Sequence, residues 1–276
     1  MIAENLTSAL DLLNKKIKTA SEQIKYYTWC EAFVQEKVKH TMDVLAVAQE
    51  LLSMRKVPFS NEQAERLLFG ALMHDIGRFR EIPLLAQNPA VKHDHGKYSE
   101  EILREEGLTD EAMLMALCHH GHRTQDLETD PRFRKLSSQE QADCRQIFEL
   151  VQDADKIANW QLYIDNPAMV NHINLVKHPR TKEVSKEILE NFKNNEIADY
   201  RFAKGFEDYL IGSLSWIFEI HWLVSYQLLQ KRNLLDRIFF QAGKDMNDSL
   251  LLMNLQRMAQ TYLDTKLEEL IQKEAS

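Results

Sequence analysis

The stretch FGALMHDIGRFREI sets an imidazole and a carboxylate, His74 and Asp75, side by side inside an otherwise apolar helical pattern. Leu68, Ala71, Leu72 and Asp75 form one stripe at helical spacing, and Leu67, Ala71 and His74 form its neighbour, so both side chains are aimed at apolar surroundings. His40 stands in register with Val44, Val47 and Leu51, His119 with Ala112, Met115 and Ala116, and His120 with Met113, Ala116 and Leu117. Asp155 shares a stripe with Phe148, Val151, Ala158 and Leu162. A lone histidine on such a stripe is ordinarily a hydrogen-bonded core residue. Inward carboxylates are different, because each costs several kcal/mol on burial unless a cation compensates it. Several such residues on separate helices point to a divalent metal. Imidazole and carboxylate together suit Mn, Fe, Co, Ni or Zn without choosing among them.

Helices must position these side chains. Only 8 Gly and 6 Pro punctuate the chain, no alternating β-branched run of useful length occurs, and apolar residues recur at three and four almost throughout. The fold class is therefore all-α. SNEQ, from Ser60 to Gln63, has the form of a capping box, and Thr109 and the SSQE from Ser137 to Glu140 read as further helix starts. Gly77, Gly107 and Gly121 read as helix ends, and ETDPRFRKLSSQ reads as a loop. After about Trp160 the inward-facing ionisable residues largely stop. The expected organisation is an N-terminal helix over 1–27, a domain carrying the site over 28–163, and a helical extension over 164–276 packed on it, with an amphipathic tail in TYLDTKLEELIQKEA.

Charge and composition narrow the partners. A net charge of -8 argues against a sequence-independent grip on a nucleic-acid backbone, which needs a basic surface. Cys30, Cys118 and Cys144 are scattered, which encodes neither a disulfide framework nor a thiolate zinc site and suits a reducing compartment. The first twenty residues lack the pattern of an export signal. The most apolar segment, YLIGSLSWIFEIHWLVSYQLL, contains Glu219 and His221 and reads as a buried helix rather than a membrane span. A cytoplasmic protein with no membrane partner is the expectation. His172 and His178 read as surface residues and His221 as a core residue.

The order His40, then HD at His74 and Asp75, then HDHGKYSEEIL, then HH at His119 and His120, then DADKIANW resembles the HD superfamily of metal-dependent phosphohydrolases. The resemblance implies an HD-domain helical bundle with His40, His74, Asp75 and Asp155 around one divalent metal. In two-metal members, residues at the positions of His95, His119 and His120 hold a second, with Asp75 bridging. His93 remains an alternative to His95, and Asp153 an alternative to Asp155 or a partner orienting a ligand. The implied reaction is hydrolysis of a phosphate ester, of a nucleotide or another small phosphorylated metabolite, by a metal-bound hydroxide. Arg78 follows Asp75 by three residues, Lys156 adjoins Asp155, and Lys97 and Arg123 flank the histidine motifs, so these cations are the candidates for gripping phosphate. Arg78 leads them, and His122 is a candidate for protonating the leaving group.

Members that cleave cyclic dinucleotides carry a Gly-Tyr-Pro element after the double histidine. Here the chain reads HHGHRTQDLETDPRF, a departure that argues against that substrate. The same ligand set serves relatives with a di-iron centre that oxidise a substrate with O₂, and a non-catalytic ligand sensor is a third reading. The extension, with Trp216 and Trp222, could close the pocket or form a homodimer interface.

Overall fold

Helices account for the regular structure in the computed structural model, and no strand occurs among the described residues, which are 6–56, 59–88, 93–168, 170, 178–181, 183–246 and 248–275. The chain divides into two compact units, residues 1–155 and 156–276. The first contains α1 (Leu6–Ile24), α2 (Thr28–Ser53), α3 (Asn61–Met73), α4 (Arg78–Gln87), α5 (His95–Glu105), α6 (Glu111–His119), α7 (Thr124–Thr129) and most of α8 (Ser138–Asp165). Helix α2 packs on α3, α5 on α6, and α1 on both α3 and α4. Val44, Ala48, Leu51, Phe69, Leu72, Met73, Phe148 and Val151 are fully buried in this unit's core.

Local chemistry sets most helix boundaries. Ser60 and Gln63 form the expected capping box, each side chain bonding the other's backbone N–H, at 3.2 and 3.1 Å. Ser137 and Glu140 make the same exchange ahead of α8. Helix α6 is capped by Asp110, which accepts from the Met113 N–H at 3.0 Å, one residue beyond the expected start at Thr109. Gly107 closes α5 with a left-handed φ of 94°, as a terminal glycine should. The expected loop is shorter than its composition suggests: α7 takes its first residues, and a 3₁₀ turn at Phe133–Lys135 takes its middle.

Gly77 does not act as a left-handed stop. Its φ is -63°, and α3 has already ended at Met73. What the position requires is space, because a Cβ there would lie 2.0 Å from the His95 carbonyl oxygen and 2.6 Å from the Ser99 nitrogen. The turn carrying His74 and Asp75 is thus pressed onto the start of α5. Ser99 Oγ seals the contact, accepting from the Gly77 N–H and donating to the His74 carbonyl, both at 3.0 Å. Gly96 does the same on the other side of α5, where a Cβ would stand 2.2 Å from the Cys118 carbonyl oxygen of α6. Two missing side chains therefore draw three ligand-bearing segments together.

The second unit holds the end of α8 and then α9 (Lys186–Lys193), α10 (Phe206–Leu214), α11 (Leu223–Lys231), α12 (Leu234–Asp245) and α13 (Ser249–Ala275). The long apolar segment expected to be one helix is broken. A 3₁₀ turn at Ser215–Glu219 and extended backbone at Ile220 and Trp222 separate α10 from α11. Lys156 Nζ donates to the Glu219 carbonyl at 2.6 Å, which satisfies an acceptor at the break. No helix among the described residues is long and apolar enough to cross a membrane. The amphipathic tail is present in α13, where Leu252, Leu255, Ala259, Leu263 and Leu267 are buried at helical spacing. Trp216 stacks on Trp160, with ring centroids 6.3 Å apart, while Trp222 is buried. His178 stacks on Tyr209, and burial pushes His221 down to about 3. His172 lies outside the described residues.

Candidate metal centre

Five segments of the first unit deliver the site. His40 comes from the middle of α2, His74 and Asp75 from the turn after α3, His95 from the first residue of α5, His120 from the cap of α6, and Asp155 from α8. His40 Nε2 meets Asp155 Oδ1 at 2.7 Å. His74 Nε2 lies 3.8 Å from both Asp75 Oδ2 and Asp155 Oδ1. On the other carboxylate oxygen, Asp75 Oδ1, converge His95 Nε2 at 3.5 Å and His120 Nε2 at 3.6 Å. Two groups of donors result, His40 with His74 and Asp75, and Asp75 with His95 and His120, each with its ligand atoms within 4.8 Å of one another. Among the described residues Asp75 alone belongs to both.

Backbone acceptors orient the imidazoles. The Nδ1–H of His74 donates to the Ala71 carbonyl and that of His120 to the Leu117 carbonyl, each at 2.7 Å. A carbonyl can only accept, so each Nδ1 carries a proton, and at His74 the Nε2 presents a lone pair to the carboxylates. His74 is fully buried, and its Nε2 has no hydrogen-bond partner. A lone-pair nitrogen left bare beside two carboxylates is costly unless a cation completes it, and this donor set fits a divalent transition metal.

The protonation states agree. Burial pushes the Asp75 carboxyl up, but Arg78, His74, Lys37 and the contact with His120 outweigh it and hold the group well below the usual carboxylate range. At Asp155 burial is likewise outweighed, here by the hydrogen bond and charge of His40. Burial lowers His74 to about 4, and burial with the nearby Arg78 holds His95 well below its ordinary value. Burial alone would lower His120 as well, but its contact with Asp75 raises it. Ionised carboxylates facing the neutral imidazoles of His74 and His95 are the form in which these side chains ligate, whereas the contact with Asp75 favours the protonated form of His120.

The remaining expected residues fall elsewhere. His119, expected beside His120 in the second group, is turned away from it: its Nε2 is 3.0 Å from Asp130 Oδ2 and its Nδ1 is 3.4 Å from His122 Nδ1. Neighbours on a helix point about 100° apart, so only one of the pair can face Asp75. His93 bonds the Tyr98 hydroxyl at 3.0 Å and belongs to neither group. Asp153 is fully buried and in neither group; Asp155 is also outside both groups and touches the first through His40 Nε2, at 2.7 Å.

Among the cations, Arg78 Nε is 3.4 Å from Asp75 Oδ1, and its terminal nitrogen is anchored at 2.6 Å by Glu81. Lys97 is exposed and Arg123 half-buried. Lys156 is buried with its ammonium held by Glu219, so it is a structural cation in its own unit. One cation escaped the sequence reading: Lys37 Nζ is 3.7 Å from Asp75 Oδ2. The available signal was its place three residues before His40, on the same helical face.

Residues 38–160 match the family model described as the HD domain, a span that includes every residue of both groups. Comparisons with curated proteins and with solved structures find no match.

Proposed function

We propose, from the match of residues 38–160 to the HD-domain model, that the chain is a metal-dependent phosphohydrolase and that the cluster centred on Asp75 is its two-metal centre. Its reaction is the hydrolysis of a phosphate ester, of a nucleotide or another small phosphorylated metabolite. The observation that carries this reading is the shared carboxylate, with His74 Nε2 3.8 Å from one of its oxygens and His95 and His120 Nε2 3.5 and 3.6 Å from the other. When bound, Mn, Fe, Co, Ni or Zn ions would supply an activated water and stabilise the departing oxygen.

The protein's own contribution is to hold the donors and the substrate. Asp75 and Asp155 provide fixed negative charge, and the carbonyls of Ala71 and Leu117 keep His74 and His120 in the ligating tautomer. Glu81 fixes Arg78 so that its guanidinium stands beside Asp75, half-exposed, where it can grip phosphate oxygens. The net charge of -8 supports a small substrate over a nucleic-acid polymer.

Arg78→Ala should keep metal at the wild-type level and raise KM about ten- to a hundredfold, the value of one or two charge-assisted hydrogen bonds, with a smaller fall in kcat. Steady-state kinetics beside elemental analysis read both quantities. The reading as a whole is tested by phosphate release from a panel of phosphoesters with Mn, Ni, Fe or Zn added in turn. Release from at least one ester supports it. No release, with oxygen uptake by the ferrous protein, would instead assign the cluster to di-iron oxidation.

A further inference from the structure

Lys37 is an ammonium without a hydrogen bond. Its side chain is 13% exposed, yet the nearest carboxylate oxygens are 3.7 Å away on Asp75 and 3.6 Å away on Glu36, and the Phe33 ring centroid is 5.9 Å away. None of these is short enough to satisfy any of its three N–H donors. Its Nζ is not among the buried polar atoms that lack a partner, so its donors are open to solvent, and a cation so placed beside the cluster is positioned to take an anion. Lys37 and Arg78 approach different oxygens of the shared carboxylate, Lys37 near Oδ2 and Arg78 near Oδ1. Each also has a carboxylate outside the two donor groups, Glu36 for Lys37 and Glu81 for Arg78.

We propose that Lys37 is a second anion-binding cation of this site, paired with Arg78 across Asp75, and that it leaves Asp75 for a substrate phosphate once the carboxylate is engaged by metal. The proposal rests on the phosphohydrolase reading for the identity of the anion. The physical argument is competition. A divalent ion held by Asp75 would repel an ammonium 3.7 Å from one of its oxygens. Lysine is the side chain suited to yield, as a compact charge with rotatable donors on a flexible stem, whereas the planar fork of Arg78 is fixed on Glu81. Metal loading thus turns Lys37 from a counter-ion of Asp75 into a free donor, and phosphate binds more tightly to the metal-loaded form.

The test is calorimetric titration of the full chain with inorganic phosphate, with and without Mn²⁺, and with Mn²⁺ alone, for wild type, Lys37→Met and Lys37→Arg. Lys37→Met should weaken phosphate binding to the Mn-loaded protein about tenfold, the value of one charged hydrogen bond. It should bind Mn²⁺ alone at least as tightly as wild type, because a competing cation is gone. Lys37→Arg, which keeps the charge, should retain most of the phosphate affinity. Unchanged phosphate affinity in Lys37→Met, an equal loss in Lys37→Arg, or a loss of Mn²⁺ affinity alongside phosphate would each overturn the proposal. The last result would mark Lys37 as a packing residue. Because these are binding measurements, the proposal can fail in a chain that hydrolyses phosphoesters, and it can stand in one that hydrolyses none of those assayed.

Discussion

Asp75→Ala is expected to lose bound metal and to lower turnover by a factor on the order of a thousand or more, since the activated water depends on the ions this carboxylate holds. The argument is geometric. His95 and His120 approach one of its oxygens, and His74 approaches the other, so its removal strips a donor from both groups at once. No other carboxylate belongs to the second group among the described residues. The substitution also leaves Lys37 and Arg78 without their shared partner, which adds positive charge where cations must bind. The expected failure differs in kind from that of Arg78→Ala, which should keep its metal. Metal per chain and phosphate release, measured on both variants side by side, separate the two. Metal retention with near-normal turnover in Asp75→Ala would make His74 and Asp75 structural residues.

Stripping the metal should lower the melting temperature by about ten degrees. A ligand that binds only the folded state stabilises it by about 4 kcal/mol at a thousandfold excess over its dissociation constant, and for a domain of this size each kcal/mol moves the midpoint about 2 to 4 degrees. The donors come from α2, α5, α6, α8 and the turn after α3, segments far apart in sequence, so the unfolded chain has no comparable site. Without metal, Asp75 keeps Lys37 and Arg78 for compensation, but the bare His74 Nε2 has nothing. Thermal melts before and after chelation, with metal removal verified and then reversed by added Mn²⁺ or Zn²⁺, measure the difference. An identical curve in verified metal-free protein would mean that the side chains already present compensate the buried carboxylates.

Much of this was legible from spacing, and what was not has a common cause. The all-helical class followed from apolar residues at three and four, and the inward faces of His40, His74, Asp75 and His120 followed from the same period, because periodicity reports burial directly. His119 is also buried, so its stripe was read correctly, yet burial does not say toward what. The tertiary fold sets Asp130 against it, and that partner is not readable from the stripe. The role of Gly77 was missed for a similar reason: a glycine near a helix end suggests a left-handed stop, whereas here it is needed because α5 passes within van der Waals contact. Lys37 carries no such signal, and only the fold brings Asp75 against it. The break between α10 and α11 is not readable from local pattern, since the Glu219 carbonyl there is satisfied by Lys156, more than sixty residues earlier. Local pattern told which residues face inward; long-range contacts decided what each one meets.

Metal titration of the chelated protein, reading phosphate release from the responsive ester of the panel against metal bound per chain, tests the central claim most directly. Two donor groups that share Asp75 should give no release without metal and a rise that levels off by two equivalents. Release that persists in verified metal-free protein, or a fully loaded protein that releases phosphate from none of the esters, would contradict it.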